Sequence, residues 1–132
     1  VLEELRGVEG HFRQNGHCVF CQIVEEERAA EQRLVADDDS FVAICPYASR
    51  FPYETWVLPK QHSASFLDLS DEQLHRLGKL IRRFVIQLEE KCGIRSYNLL
   101  LHSVPFDISH TDHYHWHIEI IPRLTNVALL IS

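Results

Sequence analysis

No methionine occurs anywhere in the 132 residues. Translation starts at Met, so the chain is expected to be a piece cut or processed from something longer. No apolar run approaches the ~20 residues that a bilayer-spanning helix needs, and nothing near Val1 has the pattern of a secretory signal. No repeat, low-complexity tract or long linker interrupts the sequence. Basic charge is in deficit: 13 Lys and Arg against 19 Asp and Glu give a formal charge of −6, which excludes a general surface for nucleic-acid polymers. What remains is 45% hydrophobic and 24% charged, the balance of a globular chain. The length suits one domain burying roughly two-thirds of its unfolded surface.

The four cysteines are placed unlike a disulfide framework. Cys18 and Cys21 form a C-x-x-C, Cys45 sits in an apolar strand-like run, and Cys92 falls near a helix end. In a His-rich chain without a secretion signal, such a pair more often binds metal or does redox chemistry than staples a fold. Cys45 and Cys92 are read as buried small hydrophobes. A cytoplasmic location is expected, with no membrane partner.

Along the chain, Val1 to about Arg13 has modest helical character and reads as a lead-in, giving a division into residues 1–17 and a domain over 18–132. Glu25–Gln32 is a charged stretch expected to be solvated. Arg33–Ala36 and Phe41–Cys45 read as strands joined by the turn Asp37-Asp38-Asp39-Ser40. Pro46–Pro52 is a loop and Glu54–Leu58 another strand. The clearest helix runs over Asp71–Cys92. Ser70 and Gln73 make a capping box, Leu69 and Leu74 a candidate staple, and Gly93 the left-handed stop. Leu74, Leu77, Ile81, Phe84 and Leu88 repeat at helical spacing, with Leu80 and Val85 widening the stripe. Tyr97–His102 and Tyr114–Ile121 are the last strands. The order predicts α+β: an antiparallel sheet covered by one long helix.

The final strand carries the chemistry. Alternate side chains share a face, so His113, His115, His117 and Glu119 line one side while Tyr114, Trp116, Ile118 and Ile120 form a core side. Imidazoles ~6–7 Å apart along a strand line a site or share a metal. The competing reading is a merely solvated polar face. Zinc favours four tetrahedral ligands, often two Cys from a short turn and two His from elsewhere. Cys18, Cys21, His62 in Pro59-Lys60-Gln61-His62, and one His of the last strand supply such a set. A thioredoxin-like redox pair is disfavoured, because no β-α-β pattern follows the C-x-x-C.

Cys18-Val-Phe-Cys21, Pro46-Tyr-Ala-Ser-Arg50-Phe-Pro-Tyr-Glu54, Leu58-Pro-Lys60-Gln-His62, Tyr97-Asn98 and His115-Trp-His117-Ile-Glu119-Ile-Ile-Pro122-Arg123 together resemble the galactose-1-phosphate uridylyltransferase family, within the wider histidine-triad (HIT-like) superfamily. The resemblance extends over nearly all of Cys18–Thr125 and is greater to the C-terminal of that family's two HIT-like repeats. It implies a HIT-like fold with a structural zinc site. Counting back from Pro122-Arg123 sets the triad positions at His115, His117 and Glu119; a simpler register would take His113, His115 and His117, with His115 central. The preferred register implies Cys18, Cys21, His62 and His115 as zinc ligands, His117 in the nucleophile position and Glu119 where the family has Gln.

The chemistry implied is nucleotidyl transfer. An imidazole attacks the α-phosphorus of a UDP-sugar, a sugar phosphate leaves, and a hexose 1-phosphate then takes the nucleotidyl group from the histidine. Asn98 or backbone carbonyls would fix the imidazole tautomer; Lys60, Arg50 and Arg123 are candidates for meeting phosphate charge. Two departures stand out. The family's working H-P-H-x-Q lies in the first repeat and is absent here, and an ionised Glu119 would repel a phosphate. After Thr125 the chain lacks the family's usual Gly-Phe-Glu segment, so its end is expected to be truncated. The reading is therefore a transferase domain whose own role is structural, partnered by the missing N-terminal repeat or by a second copy in a homodimer. A stand-alone HIT-type nucleotide hydrolase or phosphorylase, or a non-catalytic zinc domain, are the alternatives.

Overall fold

The computed structural model describes residues 2–46, 52–104 and 114–123. Arg50, His110, His113 and the C-terminal stretch from Leu124 lie outside the described residues. A five-stranded antiparallel sheet has the order β1-β2-β3-β5-β4, with β1 Leu34–Asp37, β2 Phe41–Ile44, β3 Thr55–Pro59, β4 Tyr97–His102 and β5 His117–Pro122. The predicted hairpin between β1 and β2 forms because Asp38 closes it: its Oδ1 accepts the Ser40 and Phe41 amides at 2.8 and 2.7 Å. The last strand is shorter than expected. Residues 114–116 precede it, although the Trp116 amide still donates to the Ser63 carbonyl at 2.9 Å.

The long helix spans Asp71–Cys92 as expected, here α3. Ser70 Oγ accepts the Gln73 amide at 3.1 Å and Gln73 Oε1 accepts the Ser70 amide at 3.0 Å, the reciprocal capping box. At the other end Gly93 turns left-handed at φ 69°, and the Ile94 amide closes back on the Leu88 carbonyl at 3.1 Å. Leu77 and Leu80 pack against Phe41, Val57, Trp116, Ile118 and Ile120 on one face of the sheet. Leu74, expected in the same stripe, is exposed.

The opposite face adds to the expected sheet and its long helix. Two further helices, α1 (Leu2–Asn15) and α2 (Val19–Ala30), precede the sheet. Val8, Phe20 and Val24 form a second core with Val42, Ile44, Leu58 and Tyr114. The stretch expected to be a solvated charge run, Glu25–Gln32, is exposed apart from Glu27, and most of it belongs to helix α2. Its buried stripe, Phe20, Val24 and Glu27, is too short to stand out among glutamates. Glu27 tolerates burial because Arg33 grips it with bonds of 2.8 and 2.9 Å. Tyr114 departs too. Lying before the strand begins, it escapes the two-residue alternation and packs beside Phe20 rather than with Trp116. All four cysteines are free, but Cys92 is exposed and Cys45 half-buried, so neither is the buried hydrophobe expected. The helix simply ends at Cys92, where its side chain meets water.

Candidate metal and histidine site

Cys18 ends the α1–α2 connection as the N-cap of α2, and Cys21 follows within the first turn. His62 lies just beyond β3, and His115 just before β5. Antiparallel pairing of β3 with β5 carries the last two together, and α2 lays the cysteines over them. Cys21 Sγ is 3.2 Å from His62 Nδ1 and 3.4 Å from His115 Nδ1, while Cys18 Sγ is 4.0 Å from His115 Nδ1. Ligand atoms of all four lie within 4.8 Å of one another. Zinc–sulfur and zinc–nitrogen bonds of about 2.3 and 2.05 Å at a tetrahedral angle put S and N about 3.6 Å apart, in the middle of these separations.

The surrounding groups favour the ligand state. His115 Nε2–H donates to the Pro59 carbonyl at 2.7 Å, which leaves Nδ1 with its lone pair toward the cysteines. Cys21 donates to the Cys18 sulfur, and His115 stands beside it, so the Cys18 thiol is drawn down to about 3 and ionises first. The same shared proton pushes Cys21 upward. A pair poised to lose a proton suits a soft cation that displaces the second one.

A second cluster adjoins the first. Register pairing of β4 with β5 sets His102 opposite His117. Their rings stack at 4.7 Å and 10°, and Nε2 of each faces Glu119, at 3.5 Å from His102 and 3.8 Å from His117. His102, followed by His117, holds the Glu119 carboxyl well below the usual carboxylate range, so it is ionised near neutrality. His117 is fully buried at 0% exposure, with Phe20 at 4.6 Å and Trp56 at 5.5 Å between ring centroids. Its Nδ1–H donates to the His115 carbonyl at 3.1 Å, so a backbone carbonyl, rather than Asn98, fixes the ring. Asn98 lies four residues along β4 from His102, about 13 Å at strand rise, opposite Ile121.

Of the expected phosphate-binding cations, Lys60 is committed to Asp37. Arg123 is exposed at the end of β5, its amide donating to the Ser96 carbonyl at 2.7 Å. Arg50 lies outside the described residues. His102 and Phe20 were not singled out in the sequence. His102 had a signal, since an antiparallel partner strand that ends in His can meet a His strand; Phe20 had none beyond its place between the cysteines.

Antiparallel sheet, helices on both faces and a Cys/His cluster at the strand ends define a HIT-like α+β domain. The family described as galactose-1-phosphate uridyl transferase, C-terminal domain, matches residues 4–130, and the chain belongs to it. ADP-glucose phosphorylase of Arabidopsis thaliana is 29% identical over 97% of the chain and 36% of that protein. Galactose-1-phosphate uridylyltransferase of Haemophilus influenzae is 26% identical over 97% of the chain and 37% of the relative. The chain therefore spans little more than a third of the curated relatives it matches. A solved uridylyltransferase superposes with TM-score 0.83 at 30% identity over 91% of this chain and 37% of that one. The Arabidopsis ADP-glucose phosphorylase with bound ADP-glucose gives 0.80 at 26%, over 92% and 39%. A zinc-bound histidine triad protein of Mycobacterium smegmatis, 21% identical with TM-score 0.62, covers 83% of this chain and 76% of that one and shares the fold.

Proposed function

We propose that this chain is the zinc-bearing, HIT-like half of an enzyme that transfers nucleotidyl groups between a UDP-sugar and a hexose 1-phosphate through a uridylyl-histidine. Its own role is to carry structure rather than the nucleophile. The observation that supports this most is the convergence of Cys18, Cys21, His62 and His115, up to 97 residues apart in sequence, on one tetrahedral-sized cluster. Bound there, zinc would tie α2 to the β3 and β5 ends and so fix the helix over the sheet. A structural role for this half is favoured by the enclosure of His117. Attack on phosphorus needs an open approach to Nε2, whereas Nε2 here faces an ionised carboxylate. Glu119 thereby serves a buried His–Glu–His network, and Asn98 and Arg123 remain as surface groups at the β4–β5 edge.

The partner is the remaining two-thirds of the same polypeptide. The outer strand β4 exposes Tyr97, Leu99, Leu100 and Leu101, an uncommonly apolar edge for a sheet left open to water. Residues 1–17 then act as the helical approach to an 18–132 domain. Free thiols suit a cytoplasmic setting, and among the described residues no helix is long and apolar enough to cross a membrane.

Metal analysis and labelling test this reading on the intact protein. About one zinc per copy of this domain is expected, lost in Cys18→Ser. Radiolabelled UDP-glucose or ADP-glucose should label the intact enzyme outside this domain, so that His117→Ala retains the label. A nucleotidyl group recovered on His117 would overturn the structural assignment; a folded domain free of transition metal would overturn the zinc assignment.

A further inference from the structure

A groove of about 550 Å³ lies on the other side of the sheet from the histidines, between the β1–β2 turn and the flank of α3. That volume is in the range of sites for small organic molecules. Its floor is apolar, built from Ala36, Ala43, Leu80 and the half-buried ring of Phe84. The charged groups around it fall into two kinds. Asp37 pairs with Lys60 and with Arg28, Asp38 accepts two turn amides, and Asp39 meets Arg76 at 3.7 Å. The acidic wall is thus tied to neighbours within the fold, with Asp39 sharing Arg76 with Glu72. Lys79 and Arg83, one turn apart on α3, make no ion pair among the described residues. The groove lining carries three acids and three bases, and its two cations without counter-ions stand together on the α3 side, away from the turn that holds the aspartates.

We infer that this groove binds a nucleoside phosphate, with the phosphate between Lys79 and Arg83 and the base against Phe84. The Arg fork and the Lys point charge are complementary means of holding phosphate oxygens. An aromatic ring at the edge of an apolar floor offers a face for stacking a planar base. Inorganic phosphate would leave that floor uncovered, and an acidic peptide would extend well beyond the groove. The sheet separates this groove from the zinc donors and from His117, so the inference stands apart from the function proposed above.

The test is photolabelling of the intact protein with 8-azido-ADP, followed by digestion and sequencing of the labelled peptides. ADP, adenosine, inorganic phosphate and a hexapeptide of Glu serve as competitors. Label within residues 71–92 is expected, competed best by ADP. It should fall about tenfold in the Lys79→Glu/Arg83→Glu variant, which removes two charge-assisted contacts. Both side chains are exposed, so that variant is expected to fold, and thermal melting checks it. Phe84→Leu, which keeps an apolar floor without a ring, should reduce labelling several-fold. The inference is overturned by label absent from α3, by label indifferent to the charge reversal, or by inorganic phosphate or the Glu hexapeptide competing as well as ADP.

Discussion

Replacing His115 by Ala tests the site most directly, because the ring serves two neighbours at once. Its Nδ1 lies 3.4 Å from Cys21 Sγ, and its Nε2–H is bonded to the Pro59 carbonyl at 2.7 Å. The ring is fully buried. Removing a buried side chain of this bulk costs about 2–5 kcal/mol in cores. The orphaned carbonyl adds roughly 1–3 kcal/mol, partly offset if water enters. Even the low end of that sum, about 3 kcal/mol, set against about 2.1 cal/mol/K of unfolding entropy per residue over this 132-residue chain, lowers Tm by about 10 °C. His117→Ala removes an equally buried ring and should lower Tm comparably, so melting alone does not separate the two. Zinc does. Altering a group behind a ligand already weakens metal binding about 10–100-fold, so loss of the ligand itself should exceed about 100-fold. Competition against a chromophoric chelator measures this, and a cobalt-loaded sample should lose its tetrahedral visible bands. His115→Ala with unchanged zinc affinity, or His117→Ala losing zinc equally, would refute the assignment of ligands.

Three smaller changes probe the supporting structure. Ser70→Ala removes the cap that accepts the Gln73 amide and should cost about 1 kcal/mol, seen as a Tm lower by about 4 °C. Phe20→Ala opens the cover over His117 and should cost about 3–5 kcal/mol, with faster solvent exchange at the imidazole by NMR. Glu119 has a depressed folded-state pKa, so its stabilisation is complete above the unfolded value of about 4.5 and is lost as pH falls below it. In Glu119→Gln, denaturant unfolding should accordingly show a deficit of roughly 1–3 kcal/mol at neutral pH that shrinks as the solution is acidified. A deficit constant across that range would discount the His–Glu–His network.

Much of this molecule is written in local pattern. Helix α3, its capping box, its Gly93 stop, the Asp38 hairpin and strand β4 all follow from short-range rules, because their signals lie within a turn or two of the residues they govern. The residues of the Cys/His cluster were legible as well, since Cys and His pairs are chemically distinctive wherever they stand. What the pattern did not carry was α2, whose apolar stripe is interrupted by glutamates and gains its meaning only from the sheet beneath. A strand with imidazoles on one side looks open to water when read alone. Only the tertiary structure decided that Phe20 closes over His117, that His102 from β4 stacks on it, and that Glu119 is held between them. Residue types therefore determined which chemistry is available to this protein. Long-range packing, which sets the solvation and approach of every buried group, decided which of those residues converge on one cluster, which are buried partners and which face water.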